Sequence, residues 1–364
     1  RWEYVDRIMA IKYLSGKRLQ GTEAERIGLN STAPAATSWK ILGRTAVTSG
    51  DDIDVTVTAK DNMMVLQHLV PSGQVDQGMH FNDDGGSGGS SNYAWRIRRG
   101  GSVTGQGINT YRLNTEELYP NTAFEVFNMQ HTNGQEKLLQ WNVCQANSAG
   151  AGTAPDRNEG VGKWANTGNV TKVSFTNIDS GSYADGSEVV VLGCDNDEAD
   201  SGTNAWQLLA SATASGSSVT LDSGTFTAKK YLMVQCYGTT GGSNMDNIGY
   251  RVNSDSGSTY ARRVSHNGGS DSTSTSQSYI RFGAGSAAAN DIFVNTFIIN
   301  KSDKEKLFIS HCNRNRSTGS GSAPDRFENS SKWANTSSQI TSIQLINDAN
   351  NWTTDSIIKV WGFD

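Results

Sequence analysis

The residues of this chain best equipped for chemistry form an Asp–Arg pair that occurs twice. Asp156-Arg157 follows Pro155, and Asp325-Arg326 follows Pro324 169 positions later, with Glu159 and Glu328 two residues beyond each arginine. Two carboxylates in one neighbourhood are the equipment of general acid–base catalysis, provided their surroundings drive their pKa values apart. An arginine beside the aspartate works against that, because it keeps the carboxylate ionised. The alternative is a structural ion pair, a loop pinned by Asp156–Arg157 and again by Asp325–Arg326. Losing either partner would then cost similar amounts, on the order of 1–3 kcal/mol. The motif's company favours structure: in both copies it leads into Lys-Trp-Ala-Asn-Thr, at 163–167 and 332–336, where Trp164 and Trp333 read as anchors.

Oxygen ligands for a cation occur at Asp83 and Asp84, which follow Asn82, and at Asp255, which follows Asn253. They admit a calcium ion, the one cofactor the sequence offers. The same Asn/Asp/Gly chemistry also makes Asx turns in hairpins, and neither loop has the EF-hand spacing. Five histidines form no His-Glu-x-x-His, and four cysteines, Cys144, Cys194, Cys236 and Cys312, form no Cys-x-x-Cys. The cysteines, none of them duplicated, read as buried free thiols. With no nucleophile elbow and no Walker loop, the chain is expected not to be an enzyme. Tyr93, Trp95, Trp141, Tyr183, Tyr260, Tyr279 and Trp352 offer either a sugar-stacking platform or core packing, and their alternating strand positions favour packing.

The elements that must position these groups are themselves written twice. Glu136-Lys137-Leu138 recurs as Glu305-Lys306-Leu307 at the same spacing of 169, while Trp39 and Tyr93-Ala94 recur as Trp206 and Tyr260-Ala261 at 167. A period this long marks tandem copies of one globular domain, not a solenoid. Frequent Gly (39), rare Pro (5) and only 18% charged residues point to all-β modules rich in turns. Apolar alternation predicts seven or eight short strands per copy, and Met63 to Val70 has the nearly continuous apolar character of a strand buried on both faces or of a sandwich core. The expected fold is all-β, with two tandem homologous jelly-roll-like β-sandwiches: domain 1 at 39–195 and domain 2 at 206–364, with a linker at 196–205.

Residues 1–38 stand outside the repeat. They hold Trp2, Tyr13, Lys17 and Arg18 among scattered apolar and basic residues, too few to form a core. They read as an extended docking arm that gains order by binding a neighbouring subunit or another protein. A net charge of −5 argues against nucleic acid as a partner. No apolar run approaches the roughly 18 residues of a spanning helix, so membrane insertion is not expected.

Trp206-Gln207-Leu208-Leu209, the Asn253 to Arg263 segment, Lys332 to Ile343 and the closing Val360 to Asp364 together resemble a jelly-roll-like module. That module belongs to structural proteins of marine tailed viruses of bacteria and archaea. The resemblance is best in domain 2, and domain 1 departs most at Asn82 to Asn92. It implies a non-enzymatic virion protein (capsid decoration, fibre or tail component) at the virion surface or outside the cell. Such a protein would be a homo-oligomer, assembling through its arm and domain surfaces with other virion proteins. Two alternatives remain: a carbohydrate-binding module that recognises host surface glycans, and a self-assembling extracellular filament or surface-layer subunit.

Overall fold

A computed structural model of the chain describes residues 39–86, 89–101, 103–131, 134–195, 204–240, 245, 247–282, 291–315 and 320–364. The arm residues Trp2, Tyr13, Lys17 and Arg18, and positions 196–203 of the expected linker, lie outside them. The described residues are all-β.

The first copy comprises β1 (Lys40–Gly50), β2 (Asp52–Thr56), β3 (Asn62–Leu69), β4 (Val75–Phe81), β5 (Tyr93–Arg99) and β6 (Val103–Thr110). It continues with β7 (Leu113–Leu118), β8 (Thr122–Gln130), β9 (Lys137–Ala146), β10 (Asp156–Trp164), β11 (Lys172–Asn177) and β12 (Tyr183–Cys194). The second comprises β13 (Gln207–Thr213), β14 (Thr220–Asp222), β15 (Tyr231–Thr239), β16 (Gly249–Val252), β17 (Tyr260–His266) and β18 (Ser272–Gln277). It ends with β19 (Ile280–Arg281), β20 (Asp291–Ile299), β21 (Lys306–Asn315), β22 (Asp325–Trp333), β23 (Ile343–Ile346) and β24 (Ile357–Phe363).

Each copy is a sandwich of an eight-stranded and a four-stranded sheet. In domain 1 the orders are β1-β12-β3-β8-β9-β10-β5-β6 and β2-β11-β4-β7. In domain 2 they are β13-β24-β15-β20-β21-β22-β17-β18 and β14-β23-β16-β19, the same topology strand for strand. The duplication therefore extends from motifs to topology.

The structure has twelve strands per copy among the described residues, against the seven or eight expected. The additional ones include edge strands β6 and β18, whose Val-Thr-Gly-Gln-Gly-Ile-Asn-Thr and Ser-Thr-Ser-Thr-Ser-Gln carry no apolar face. Edges of this composition leave no hydrophobic period to read. The Pro-Asp-Arg motif was also expected in a loop, but it opens β10 and β22, in the interior of the large sheets.

Inward residues of both sheets fill each sandwich. Domain 1 buries Ile53, Val65, Phe127, Trp141, Trp164 and Phe175; domain 2 buries Val234, Tyr250, Phe308, Trp333 and Trp352. Gly160 shows how local sequence serves packing: a Cβ there would lie 2.2 Å from the Trp141 ring. In domain 2 Asn329 takes the glycine's place opposite Ser310, where no indole needs the space.

A third core joins the two sandwiches. Met64, Leu66, Phe124, Val126, Cys144, Val190 and Leu192 of domain 1 meet Trp206, Tyr231, Phe297, Ile299, Leu307, Ile309 and Phe363 of domain 2. This contact explains the Met63 to Val70 run. Met63, Val65 and Leu69 enter the domain 1 core, while Met64 and Leu66 enter the interdomain core. Each fully buried Leu, Ile or Phe contributes about 1.5–3 kcal/mol, so apolar area rather than ion pairing dominates this contact.

Candidate functional site

The acidic calcium candidates sit in a turn that both domains build identically. Asn82 and Asp83 are left-handed at φ 53° and 57°, and Asn253 and Ser254 at 50° and 56°. Asn tolerates this conformation because its short amide bonds locally. Asn82 Oδ1 accepts the amides of Thr171 (2.8 Å) and Lys172 (3.0 Å), as Asn253 Oδ1 accepts those of Thr341 (2.8 Å) and Ser342 (3.2 Å).

One residue on, the carboxylate accepts a hydrogen bond from the indole N–H of the duplicated tryptophan. Trp164 Nε1 donates to Asp84 Oδ2 and Trp333 Nε1 to Asp255 Oδ2, each at 2.7 Å. Tyr93 and Tyr260 complete the arrangement, their hydroxyls donating to the carbonyls of Asp84 (2.5 Å) and Asp255 (3.0 Å). Burial raises the pKa of both aspartates, but the hydrogen bonds from Asn92 and Trp164 to Asp84, and from Trp333 and Gly257 to Asp255, leave them net lowered. Asp83 pairs with Lys172 Nζ at 2.7 Å. Among the described residues, no group of three His, Cys, Asp or Glu side chains is arranged to hold a metal ion. The chemistry of this site is that of a latch between a hairpin turn and a core tryptophan.

Removing the latch acceptor is expected to destabilise its domain. Asp255→Ala leaves the indole N–H of Trp333 without its acceptor, at a cost of about 1–3 kcal/mol. Calorimetric melting checks this, and an unchanged melting temperature would mean that water replaces the carboxylate without loss.

The Pro-Asp-Arg motif does not pair with itself, which corrects the expected Asp156–Arg157 and Asp325–Arg326 pairs. Successive residues of a strand point to opposite faces, so neighbours in β10 and β22 cannot face each other. Asp156 and Arg157 instead bind domain 2. Arg263 donates to Asp156 Oδ1 (3.1 Å) and to the Pro155 carbonyl (2.9 Å), and Arg157 meets Asp271 at 2.8 Å and Glu159 at 3.0 Å. Arg98 reaches the carbonyls of Gly268 (2.9 Å) and Gly269 (3.0 Å). In domain 2, buried Asp325 accepts from Arg314 at 2.6 Å and from Asn267 at 3.1 Å, while exposed Arg326 meets Glu328 at 2.5 Å.

A second duplicated pair divides in the same way. Lys332 and Glu305 meet at 3.2 Å and are almost fully buried, covered by domain 1: Lys332 Nζ donates to the Ser148 carbonyl and Gly150 N–H to Glu305. Their equivalents Lys163 and Glu136 meet at 2.9 Å with side chains 44% and 48% exposed. Around that free pair the large sheet of domain 1 holds a groove of about 720 Å3, lined by Trp39, Asn128, Gln130, Leu138, Gln140 and Val161 among others.

Of the seven aromatic candidates, Tyr93, Trp141, Tyr183, Tyr260, Tyr279 and Trp352 are buried, and half-buried Trp95 packs against the domain 1 core. Cys144, Cys236 and Cys312 are buried free thiols. The interdomain contact escaped sequence reasoning, although the two-faced apolar run of β3 was its signal.

No family model matches the chain, and no curated protein matches it. Solved structures that align with it include domains LG4-5 of the mouse laminin alpha1 chain, at 10% identity and a TM-score of 0.14, covering 90% of this chain and 91% of that one. Another is a Pseudomonas aeruginosa FadL homologue, at 9% identity and a TM-score of 0.09, covering 84% and 91%. Likenesses this weak carry no argument about fold or activity.

Proposed function

We propose that this chain is a non-enzymatic structural protein of a virion, a capsid decoration, fibre or tail component, which assembles as a multimer through its domain surfaces and its N-terminal arm. One observation carries the reading: the polar motifs that the repeat keeps in both copies are spent on holding structure together. The Asn-x-Asp turns and tryptophans form latches. The Pro-Asp-Arg and Glu…Lys pairs of one copy or the other form the contact between sandwiches. Asp156 bonds Asn147 and Arg263, and Asp325 bonds Arg314, so neither is held ready for proton transfer. The virion setting rests on the resemblance of the module. Glycan recognition is the weaker reading, because most of its candidate stacking rings are in the cores.

Native mass measurement and electron micrographs of the full chain test this proposal. The expected result is a multimer of regular geometry. A chain that stays monomeric at all accessible concentrations overturns it, as does turnover of a glycan or peptide that disappears in Asp156→Asn.

A further inference from the structure

The two sandwiches use different halves of the same outer face to bind each other. Domain 1 contributes the half around Phe124, with Cys144 and Arg157; domain 2 contributes the half around Leu307, with Ile309, Lys332 and Arg263. The repeat provides each domain with a copy of the half it does not use here. Phe124, buried against domain 2, corresponds to Phe293, which is 43% exposed. Arg157, locked to Asp271, corresponds to Arg326, whose side chain is 57% exposed at the edge of the cleft between the sandwiches, near Arg98 and Glu159. On the other half, buried Leu307 corresponds to Leu138, 62% exposed, and the covered Lys332–Glu305 pair to the open Lys163–Glu136 pair. Arg263 corresponds to Arg96, and Trp206 to Trp39, which packs at the edge of the interdomain core, so the free half begins beyond it.

We propose that the Leu138 half of domain 1 receives the Phe293 half of domain 2 from a second copy of this chain, repeating between molecules the contact made within one. The proposal rests on the structural reading above and names its contact surface. Solvation alone does not account for the free halves. Val161 is apolar and 55% exposed, whereas its equivalent in domain 2 is the buried Ser330. Leu138 lies opposite Lys163 in the β9–β10 register, and Val161 is the next outward residue of β10, so the two form one patch, with exposed Ile108 lining the same groove. An apolar cluster of this kind lining a groove has the composition of a contact surface. Amides at Asn62, Asn128, Gln130 and Gln140 stand where domain 2 has Tyr231, Phe297, Ile299 and Ile309. They keep the unassembled face soluble and make the contact between molecules weaker than the one within. A contact joining two different half-faces is heterologous, so it propagates into a ring or an open filament.

Two full-length double variants test it, one carrying Leu138→Asp and Val161→Asp, the other Phe293→Asp and Tyr237→Asp. All four positions are exposed, and matching melting curves establish that both variants fold. By sedimentation, wild type is expected to form multimers, and each variant alone to associate at least tenfold more weakly. Mixed one to one, the variants are expected to recover a pair and nothing larger, because each retains the half the other lacks. If wild type assembles and both variants match it, or if the mixture fails to pair, the inference falls while the structural reading stands. If wild type itself never associates, both fall.

Discussion

Glu305→Ala is expected to cost the protein about 3–5 kcal/mol, whereas Glu136→Ala, the same change at the equivalent position, is expected to cost under about 1 kcal/mol. The two glutamates have the same lysine partner in the same register. What differs is water. Lys332 is sealed beneath residues Ser148 to Gly150 of domain 1, and without Glu305 its buried charge keeps the Ser148 carbonyl but loses its carboxylate. Lys163 is open to solvent, which replaces the lost carboxylate at little cost. Chemical denaturation of both variants measures the difference. Equal effects would mean that water reaches Lys332 and that the interdomain contact is looser than its packing implies.

The second large effect separates the two halves of Asp325-Arg326. Asp325→Ala removes the carboxylate that neutralises buried Arg314 and is expected to cost about 3–5 kcal/mol. Arg326→Ala removes a guanidinium that is itself exposed from the buried carboxylate of Glu328, whose pKa burial already raises so that it can take up a proton instead, and is expected to cost less, about 1–2 kcal/mol. The contrast extends to pH. Burial pushes the Asp325 carboxyl up, but hydrogen bonds from Arg314, Asn267 and His266 hold it down at about 2. That lies below the unfolded value of about 3.9, so as pH falls the unfolded chain takes up the proton first. The stabilisation is therefore complete above about pH 4 and is lost as pH falls from there toward 2, a change of about 2 kcal/mol. Asp325→Asn is expected to flatten this part of the stability profile. If it melts with the same acid dependence as wild type, the titration belongs to other carboxylates.

The fold class was legible because its signals are local. The repeated strings revealed two copies, and the alternation of β2 and β5 and the apolar run of β3 revealed strands. Strands without an apolar period, such as β6 and β18, gave nothing to detect. The Asn82 and Asn253 turns were legible as Asx chemistry, but that Asp84 and Asp255 serve Trp164 and Trp333 depends on residues about 80 positions apart in sequence. The Asp–Arg motif misled because adjacency in sequence suggests pairing, and a strand forbids it. Its partners, Arg263 and Asp271, belong to the other copy of the domain, and single-domain periodicity carries no information about such contacts.

The contact between the sandwiches joins two copies of one domain within one polypeptide, in effect a dimer with its subunits fused. Fusion makes the association of the partners intramolecular, so the contact need not be strong enough to find its partner from dilute solution. Fusion also ends the obligation of identical subunits to carry identical faces. Each copy is free to vary the half-face that its neighbour does not cover, which is where Asn128 and Gln130 stand in one copy and Phe297 and Ile299 in the other. The result is a chain with two unlike free half-faces, and so with a direction, which a symmetric pair of the same domains would lack.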